Sequence, residues 1–209
     1  SGEHEVSLTS ARSVLEYLDP DKYEIVPIGI SKEGRWLLGT RPNAQQAQLE
    51  HKTVPVSLLP DPNAQGLVAL SGESMLTRID GQLDVIFPVL HGTYGEDGTV
   101  QGLLELADIP YVGAGVAASA VGMDKALMKS VFAAHGLPQL PYLVVKRRDW
   151  ETHPDVIEAE VRKKLGFPCF VKPANLGSSV GISKVHNGEE LAPAMDLACS
   201  FDRKVVIEQ

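Results

Sequence analysis

The stretch that most constrains the fold is Phe170–Gly181, Phe-Val-Lys-Pro-Ala-Asn-Leu-Gly-Ser-Ser-Val-Gly. Cys169, Phe170 and Val171 form a short apolar run of the kind a buried strand needs. Lys172 ends that run, where a strand's last side chain can reach into a cleft. Gly177-Ser178-Ser179-Val180-Gly181 follows as a small, flexible loop, and Ile182–Val185 reads as a second strand. Strand, glycine-rich loop and strand make a hairpin whose tip exposes backbone N–H groups and two hydroxyls. Such N–H groups cradle phosphate oxygens, and a nearby lysine supplies the countercharge. The order differs from the strand–loop–helix of a P-loop, and the stretch contains no Gly-Lys-Ser/Thr. An ordinary Gly/Ser hairpin turn has the same local pattern, so the loop alone leaves both readings open.

The rest of the chain has room for a partner domain. Its 209 residues, 44% of them hydrophobic, suit one large domain or two small ones. A formal charge of −8 without a basic patch argues against nucleic acid as a partner. Lys146-Arg147-Arg148 and Arg162-Lys163-Lys164 are short and read as solvated faces. Cys169 and Cys199 make no Cys-x-x-Cys, which fits a reduced, cytoplasmic protein. No apolar run approaches the ~18–20 residues of a membrane span, so no membrane partner is expected.

Leu8, Ala11, Val14, Leu15 and Leu18 recur at helical spacing, with Ser7 or Thr9 as capping residues and Pro20 beyond the end. Tyr23–Ile30 and Trp36–Leu38 read as strands. Gly39 to about Gln65 reads as an irregular excursion holding one short strand near Val54–Leu58. Leu83–Leu90 has the look of a central strand, its ladder broken near the end by Pro88. A polar loop follows, then a helix over Thr99–Ala107 and a strand or turn at Pro110–Gly113. That succession predicts an α/β fold with an open parallel sheet, whose ligands bind beyond the strands' carboxyl ends. Gly115–Val121 is small and suited to close helix packing. Asp124–His135 reads as a helix with Leu127, Val131 and Phe132 on one face. Then come a strand over Pro141–Lys146, a helix over Pro154–Lys164 with Ile157, Val161 and Leu165 inward, and the hairpin. A helix marked by Leu191, Met195 and Ala198 and a strand over Val205–Glu208 complete the order. The character changes near residue 120, which places a domain boundary at about Ala118–Met123.

His91-Gly-x-x-Gly-Glu96-Asp97-Gly98 is the most specific stretch in the chain. Its glycines keep the backbone tight and leave His91 unshielded, at a strand's carboxyl edge where it can hold a polar network or touch substrate. Glu96 and Asp97 stand at the start of the next helix, where the dipole favours carboxylates and where both also read as caps.

With Gln101-Gly102 after it, this loop resembles the N-terminal signature of the D-alanine–D-alanine ligases. Other motifs of that family are matched in order. Ser1-Gly2-Glu3-His4-Glu5-Val6-Ser7 resembles the first loop and helix, and Met123-Asp124-Lys125 and Phe170-Val-Lys172-Pro the two nucleotide lysines. Gly177-Ser-Ser-Val-Gly181 resembles the phosphate-covering loop, and Val205-Val-Ile-Glu208-Gln209 the strand leading to the adenine hinge. The resemblance implies an open parallel-sheet, pre-ATP-grasp domain over residues 1–119 that binds substrate. An α+β ATP-grasp subdomain would follow over 120–209. It also implies an ATP-dependent ligase that activates one D-alanine as an acyl phosphate and joins it to a second for peptidoglycan. ATP and Mg²⁺ (or Mn²⁺) are the implied cofactors, and the family is commonly a homodimer.

Carried onto this sequence, Glu3 would bind the ammonium of the first D-alanine, Ser178 would orient Glu3, and His91 would belong to the same catalytic set. Lys125 and Lys172 would pair with ATP phosphates, and Gly177, Ser179 and the loop N–H groups would cover them. Glu208 and the Gln209 backbone would hold the adenine amino group. The family's first strand, with its Gly-Gly turn, and its C-terminal lobe have no counterpart here, and that lobe carries the family's metal ligands. No metal site is therefore expected among these residues, and this chain is expected to supply one wall of an ATP cleft and to be inactive alone. A D-alanine–D-lactate or D-serine ligase, and a non-catalytic nucleotide-binding fragment, are the alternatives.

Overall fold

The computed structural model describes residues 3–39, 53–64, 66–71, 75–78 and 83–209. It divides into two compact units, Ser1–Val116 and Ala117–Gln209.

In the first unit, α1 (His4–Tyr17) is followed by β1 (Ile28–Ile30), β2 (Trp36–Leu38), β3 (Val54–Leu58), β4 (Leu67–Ser71) and β5 (Met75–Arg78), then by α2 (Thr99–Leu106). The five strands form an antiparallel sheet in sequence order. The parallel sheet expected for this region is therefore corrected: parallel pairing among the described residues is a single bridge between Ile86 and Tyr111. Connection length accounts for part of the difference. A turn as short as Ser31–Arg35 can only reverse the chain, whereas the path from Ile86 to Tyr111 passes through α2 and can return parallel. Leu83–Leu90 contributes that one bridge, with Ile86 N–H donating to Pro110 O and Val112 N–H to Ile86 O. Pro88 has no N–H with which to extend it. The strand expected from Tyr23 likewise shrinks to Ile28–Ile30, because Pro27 cannot donate and its carbonyl is taken by Gly39 N–H. β4 and β5 were not expected, and most of the excursion before β3 lies outside the described residues. Val56 and Leu58, alternating on β3, meet Leu104 of α2, Ala107 and Ile109 in the core.

Helix α1 begins earlier than expected. Ser7 and Thr9 lie inside it, their hydroxyls donating to the carbonyls of Glu3 and Glu5, so neither caps it. Helix α3 (Val116–Met123) leads into α4 (Lys125–Ala134), which Asp124 caps by accepting from the N–H groups of Ala126 and Leu127. On α4 the buried positions are Ala126 and Lys129; Leu127, expected inward, is exposed.

The second unit continues with β6 (Tyr142–Lys146), α5 (Arg147–Thr152), α6 (Pro154–Lys164), β7 (Cys169–Pro173), β8 (Ser183–Val185), α7 (Leu191–Phe201) and β9 (Lys204–Glu208). Its sheet runs β6–β9–β7–β8, all neighbours antiparallel. Side chains alternate across it. Cys169, Val171, Val205 and Ile207 face Val161 of α6 and Leu191, Met195 and Ala198 of α7 in a continuous core. Val206 faces the other way, toward Ala126 of α4, Ala174 and Tyr142. The same alternation places Lys172, Lys204 and Glu208 on that second face.

Candidate functional site

In the first unit the His91 loop closes on the start of α1. His91 N–H donates to Ser7 Oγ at 2.9 Å, and Ser10 Oγ lies 2.8 Å from His91 Nε2. Both serines sit three residues apart on α1, so one helix face holds the histidine by backbone and ring. The Glu3 side chain lies against Gly92: a Cβ there would stand 3.3 Å from Glu3 Oε1. The structure thus brings together Glu3 and His91.

Glu96 does not cap α2. Its Oε2 accepts from Gly92 N–H at 2.6 Å and its Oε1 stands 3.6 Å from His91 Nδ1, so it braces the loop from within. Asp97 accepts from Tyr94 N–H and from Thr99 N–H at the helix start. Burial pushes its carboxyl up, but these N–H groups and the Thr99 hydroxyl hold it below the usual carboxylate value.

In the second unit, Lys172, ending the apolar run of β7, meets Glu208 Oε1 at 2.5 Å. Lys129 of α4 meets Glu208 Oε2 at 2.5 Å and lies 4.8 Å from the centroid of Tyr142. Burial pushes the Glu208 carboxyl up, yet the bonds from Lys129 and Lys172 outweigh it and hold it below its ordinary value. Glu208 is no exposed strand end: its side chain is 14% exposed. Beside this cluster Lys204 pairs with Asp124.

Lys125 directs its ammonium at the carbonyls of Pro173, Ala174 and Leu176, and so holds the chain where β7 passes into the glycine loop. Burial lowers its affinity for a proton, and the nearby Lys172 charge lowers it further. In the loop, Ser178 and Ser179 have φ of 48° and 62°, left-handed values that ordinary side chains rarely adopt. Gly177 opens it, its carbonyl accepting from Val180 N–H. Gly181 closes it with φ 70°, in a place where a Cβ would come 2.6 Å from Phe201 and 2.8 Å from Pro173. Only glycine fits that approach, so Phe201 and Pro173 form the seat of the loop. Gln209 donates its N–H to Pro141 O and its side-chain amide to Leu165 O.

A carboxylate between two lysines carries net positive charge and can take a polyanion, and the glycine loop that follows has backbone N–H groups of the kind that meet phosphate oxygens. Among the described residues no three His, Cys, Asp or Glu side chains converge on one point, so no all-protein metal cage is formed by them, and no step is routed through a Mg²⁺ ion. Nor is any described helix long and apolar enough to cross a membrane. Sequence reasoning missed Lys129, Ser7 and Ser10 as site residues. The spacing of Ser7 and Ser10 on one face of α1 was the available signal for the serines; Lys129, a lone lysine on a helix, gave none.

The fold is that of the ATP-grasp ligases. Over the whole chain it superposes on the VanG D-Ala:D-Ser ligase from Enterococcus faecalis with a TM-score of 0.82 and 35% identity, covering 59% of that chain. It superposes equally well, at 34% identity, on the D-alanine-D-alanine ligase from Coxiella burnetii, of which it covers 60%. Residues 1–114 match the family described as D-ala D-ala ligase N-terminus, and residues 131–209 its C-terminus. The whole chain is 52% identical to the D-alanine--D-alanine ligase of Heliobacterium modesticaldum and 49% identical to that of Natranaerobius thermophilus. The chain belongs to the D-alanine–D-alanine ligase family. It spans 57% of the length of these curated relatives.

Proposed function

We propose that the protein carrying this sequence is an ATP-dependent ligase that joins two D-alanines through a D-alanyl phosphate, making D-alanyl-D-alanine for peptidoglycan. The observation that carries this reading is the match of both units, in chain order, to one ligase family. The two clusters support it. Glu3, an anion beside a bared backbone at Gly92, suits the ammonium of the first D-alanine. His91, held by Ser7 and Ser10, is a fixed polar group next to it. Lys172, Ser179 and the N–H groups of the Gly177–Gly181 loop suit the phosphates of ATP taken as its Mg²⁺ complex, while Ser178 keeps the catalytic role that the family resemblance implies. Lys125 supports that loop by its carbonyls and stands ready as a second cation. Glu208 and the Gln209 backbone suit the adenine amino group.

In the first step a carboxylate oxygen of D-alanine bonds to the γ-phosphorus and ADP leaves. In the second, the amine of the other D-alanine attacks the acyl carbon, loses a proton and expels phosphate. Both steps depend on placing charged reactants together and away from water. We further propose a cytoplasmic homodimer.

D-alanine-dependent ADP release by the full-length protein tests the reading, and absence of stimulation overturns it. The likeness to a D-Ala:D-Ser ligase makes the second substrate worth resolving. Adding D-serine or D-lactate to the D-alanine assay and analysing the product gives the answer; a mixed dipeptide or depsipeptide as main product would move the protein to a sister activity.

Glu3→Gln separates a ligand from a structural role. Loss of a charge-assisted bond to an ammonium is expected to raise the KM for the first D-alanine on the order of ten-fold or more, with the KM for ATP little changed. If both rise together, Glu3 serves the fold of the loop instead.

A further inference from the structure

Two lysines hold Glu208, and they stand differently. Lys129 rises from the buried face of α4, its side chain 11% exposed and its ammonium against the Tyr142 ring. Lys172 is twice as exposed, at 22%, and the glycine loop begins just beyond it. One carboxylate between two ammonium groups leaves a positive charge over. Lys125 does not compete for Glu208, since its donors go to backbone carbonyls.

We infer that Lys129 is a positioning residue: it is the fixed partner of Glu208, which lets the Lys172 ammonium turn to a nucleoside-triphosphate phosphate without stranding the carboxylate. This deepens the nucleotide reading above and rests on it. A carboxylate that is largely out of water and loses its only cation must either keep a costly charge or take up a proton. With Lys129 seated, Glu208 stays paired whichever way Lys172 points. Without Lys129, every phosphate contact made by Lys172 competes with Glu208. The geometry favours this division of roles over its reverse. Lys129 is enclosed by α4 and Tyr142, whereas Lys172 leads into the loop whose N–H groups would meet the same phosphates.

The titratable groups facing Glu208 are Lys125 and Lys129 on α4, Lys172 on β7 and Tyr142, its cross-strand neighbour, on β6. Helix α7 packs on the opposite face of β9, against Val205 and Ile207. Glu208 is therefore the carboxylate whose proton uptake a lost Lys129 would expose.

The test is calorimetric titration of the full-length protein with ATP and Mg²⁺, without amino-acid substrate, near pH 7 in two buffers of different ionisation enthalpy. Lys129→Met is expected to bind on the order of ten- to a hundred-fold more weakly than the wild type. It is also expected to take up as much as about one proton on binding, where the wild type takes up none at this site. Lys129→Arg is expected to restore most of the affinity and abolish the uptake. Unchanged affinity in Lys129→Met overturns the inference, as does weaker binding with no proton uptake and no rescue by arginine. Lys172→Met separates the two levels of the argument. If it binds as the wild type does, the nucleotide reading itself fails; if it weakens binding while Lys129→Met does not, only the role of Lys129 falls. Should Lys129→Met not fold, Lys129→Met/Glu208→Gln takes its place. With no carboxylate to hold, the double variant is expected to bind within about three-fold of Glu208→Gln alone, and a larger gap overturns the inference.

Discussion

Glu208→Ala is expected to lower the stability of the second unit by about 3 kcal/mol, a large effect for one strand-end residue. The carboxylate meets two ammonium groups at 2.5 Å each, and one of them, on Lys129, is nearly enclosed. Removing the anion leaves Lys129, Lys172 and Lys125 as neighbours without it, and Lys125 already responds to the charge of Lys172. A surface ion pair would contribute roughly 0–1 kcal/mol, so a loss below about 0.5 kcal/mol would show that the cluster is solvated and would falsify this account. Urea unfolding and amide exchange along β9 provide the measurement. Lys129→Met/Glu208→Leu is expected to recover much of the loss, because an apolar pair needs no desolvated charge.

The pH dependence has a definite sign. The Glu208 carboxyl is held below its ordinary 4.5 in the folded chain, because the two lysines outweigh the upward push of burial. A carboxyl depressed on folding contributes stability that is present above the unfolded value and is lost as pH falls through the folded one. The gap between wild type and Glu208→Ala is therefore expected to be full at neutral pH and to close below pH 4.5. Asp124, depressed by Lys204 and by the N–H groups of α4 against its own burial, titrates in both proteins and cancels in the comparison.

What could be read from the sequence, and what could not, follows the range of the interactions. The second unit was legible because its elements are short, periodic and punctuated. Val161 on α6 and Leu165 at its C-cap, and Leu191, Met195 and Ala198 on α7, are buried as their spacing predicts. The hairpin around Gly177–Gly181 forms between β7 and β8 as expected. Helix α5 escaped because Arg147–Thr152 is six residues of mostly polar side chain. Its one anchor is Trp150, whose indole N–H donates to Asp196 of α7, 46 residues on. Lys129 escaped for the same reason. A lysine on a helix reads as solvated until a carboxylate 79 residues away proves to sit beneath it, and no local pattern carries that information. In the first unit, apolar alternation cannot distinguish a strand that pairs along its length from one stopped by proline. Tyr23–Ile30 and Leu83–Leu90 were both read too long on that account. Of the candidate site, residue types and loops were visible in the chain, while the partners of His91 and Glu208 are products of the fold.

Gly95→Ala is expected to destabilise the first unit by about 2–3 kcal/mol and to displace His91, although alanine adds only a methyl group. A Cβ on Gly95 would stand 2.6 Å from Leu90 Cβ, 2.9 Å from Leu90 O and 3.0 Å from Leu90 C. Two of those atoms are backbone, so no rotamer change relieves the clash; the residue before His91 must move. Gly95 is also tied on its other side. Its N–H donates to Gly92 O, and its carbonyl accepts from the buried Gln101 side chain at 2.9 Å. Shifting Leu90 therefore pulls on both the His91 bonds to α1 and the Gly92 contact with Glu3. In an assay of the proposed ligation by the full-length protein, the KM for D-alanine should rise well before that for ATP, since the Gly177–Gly181 loop belongs to the other unit. Gly102→Ala, seven residues away, is the control. It lies within α2 with no atom within 4 Å of a Cβ, so alanine meets open space and removes a flexible residue from a helix. That change is expected to stabilise by roughly 0.5–1 kcal/mol and to leave D-alanine kinetics alone. Opposite signs for the two substitutions, measured by thermal unfolding and by substrate titration, would show that the loop is held by the Leu90 backbone. Equal effects would mean that the glycines matter only through chain flexibility.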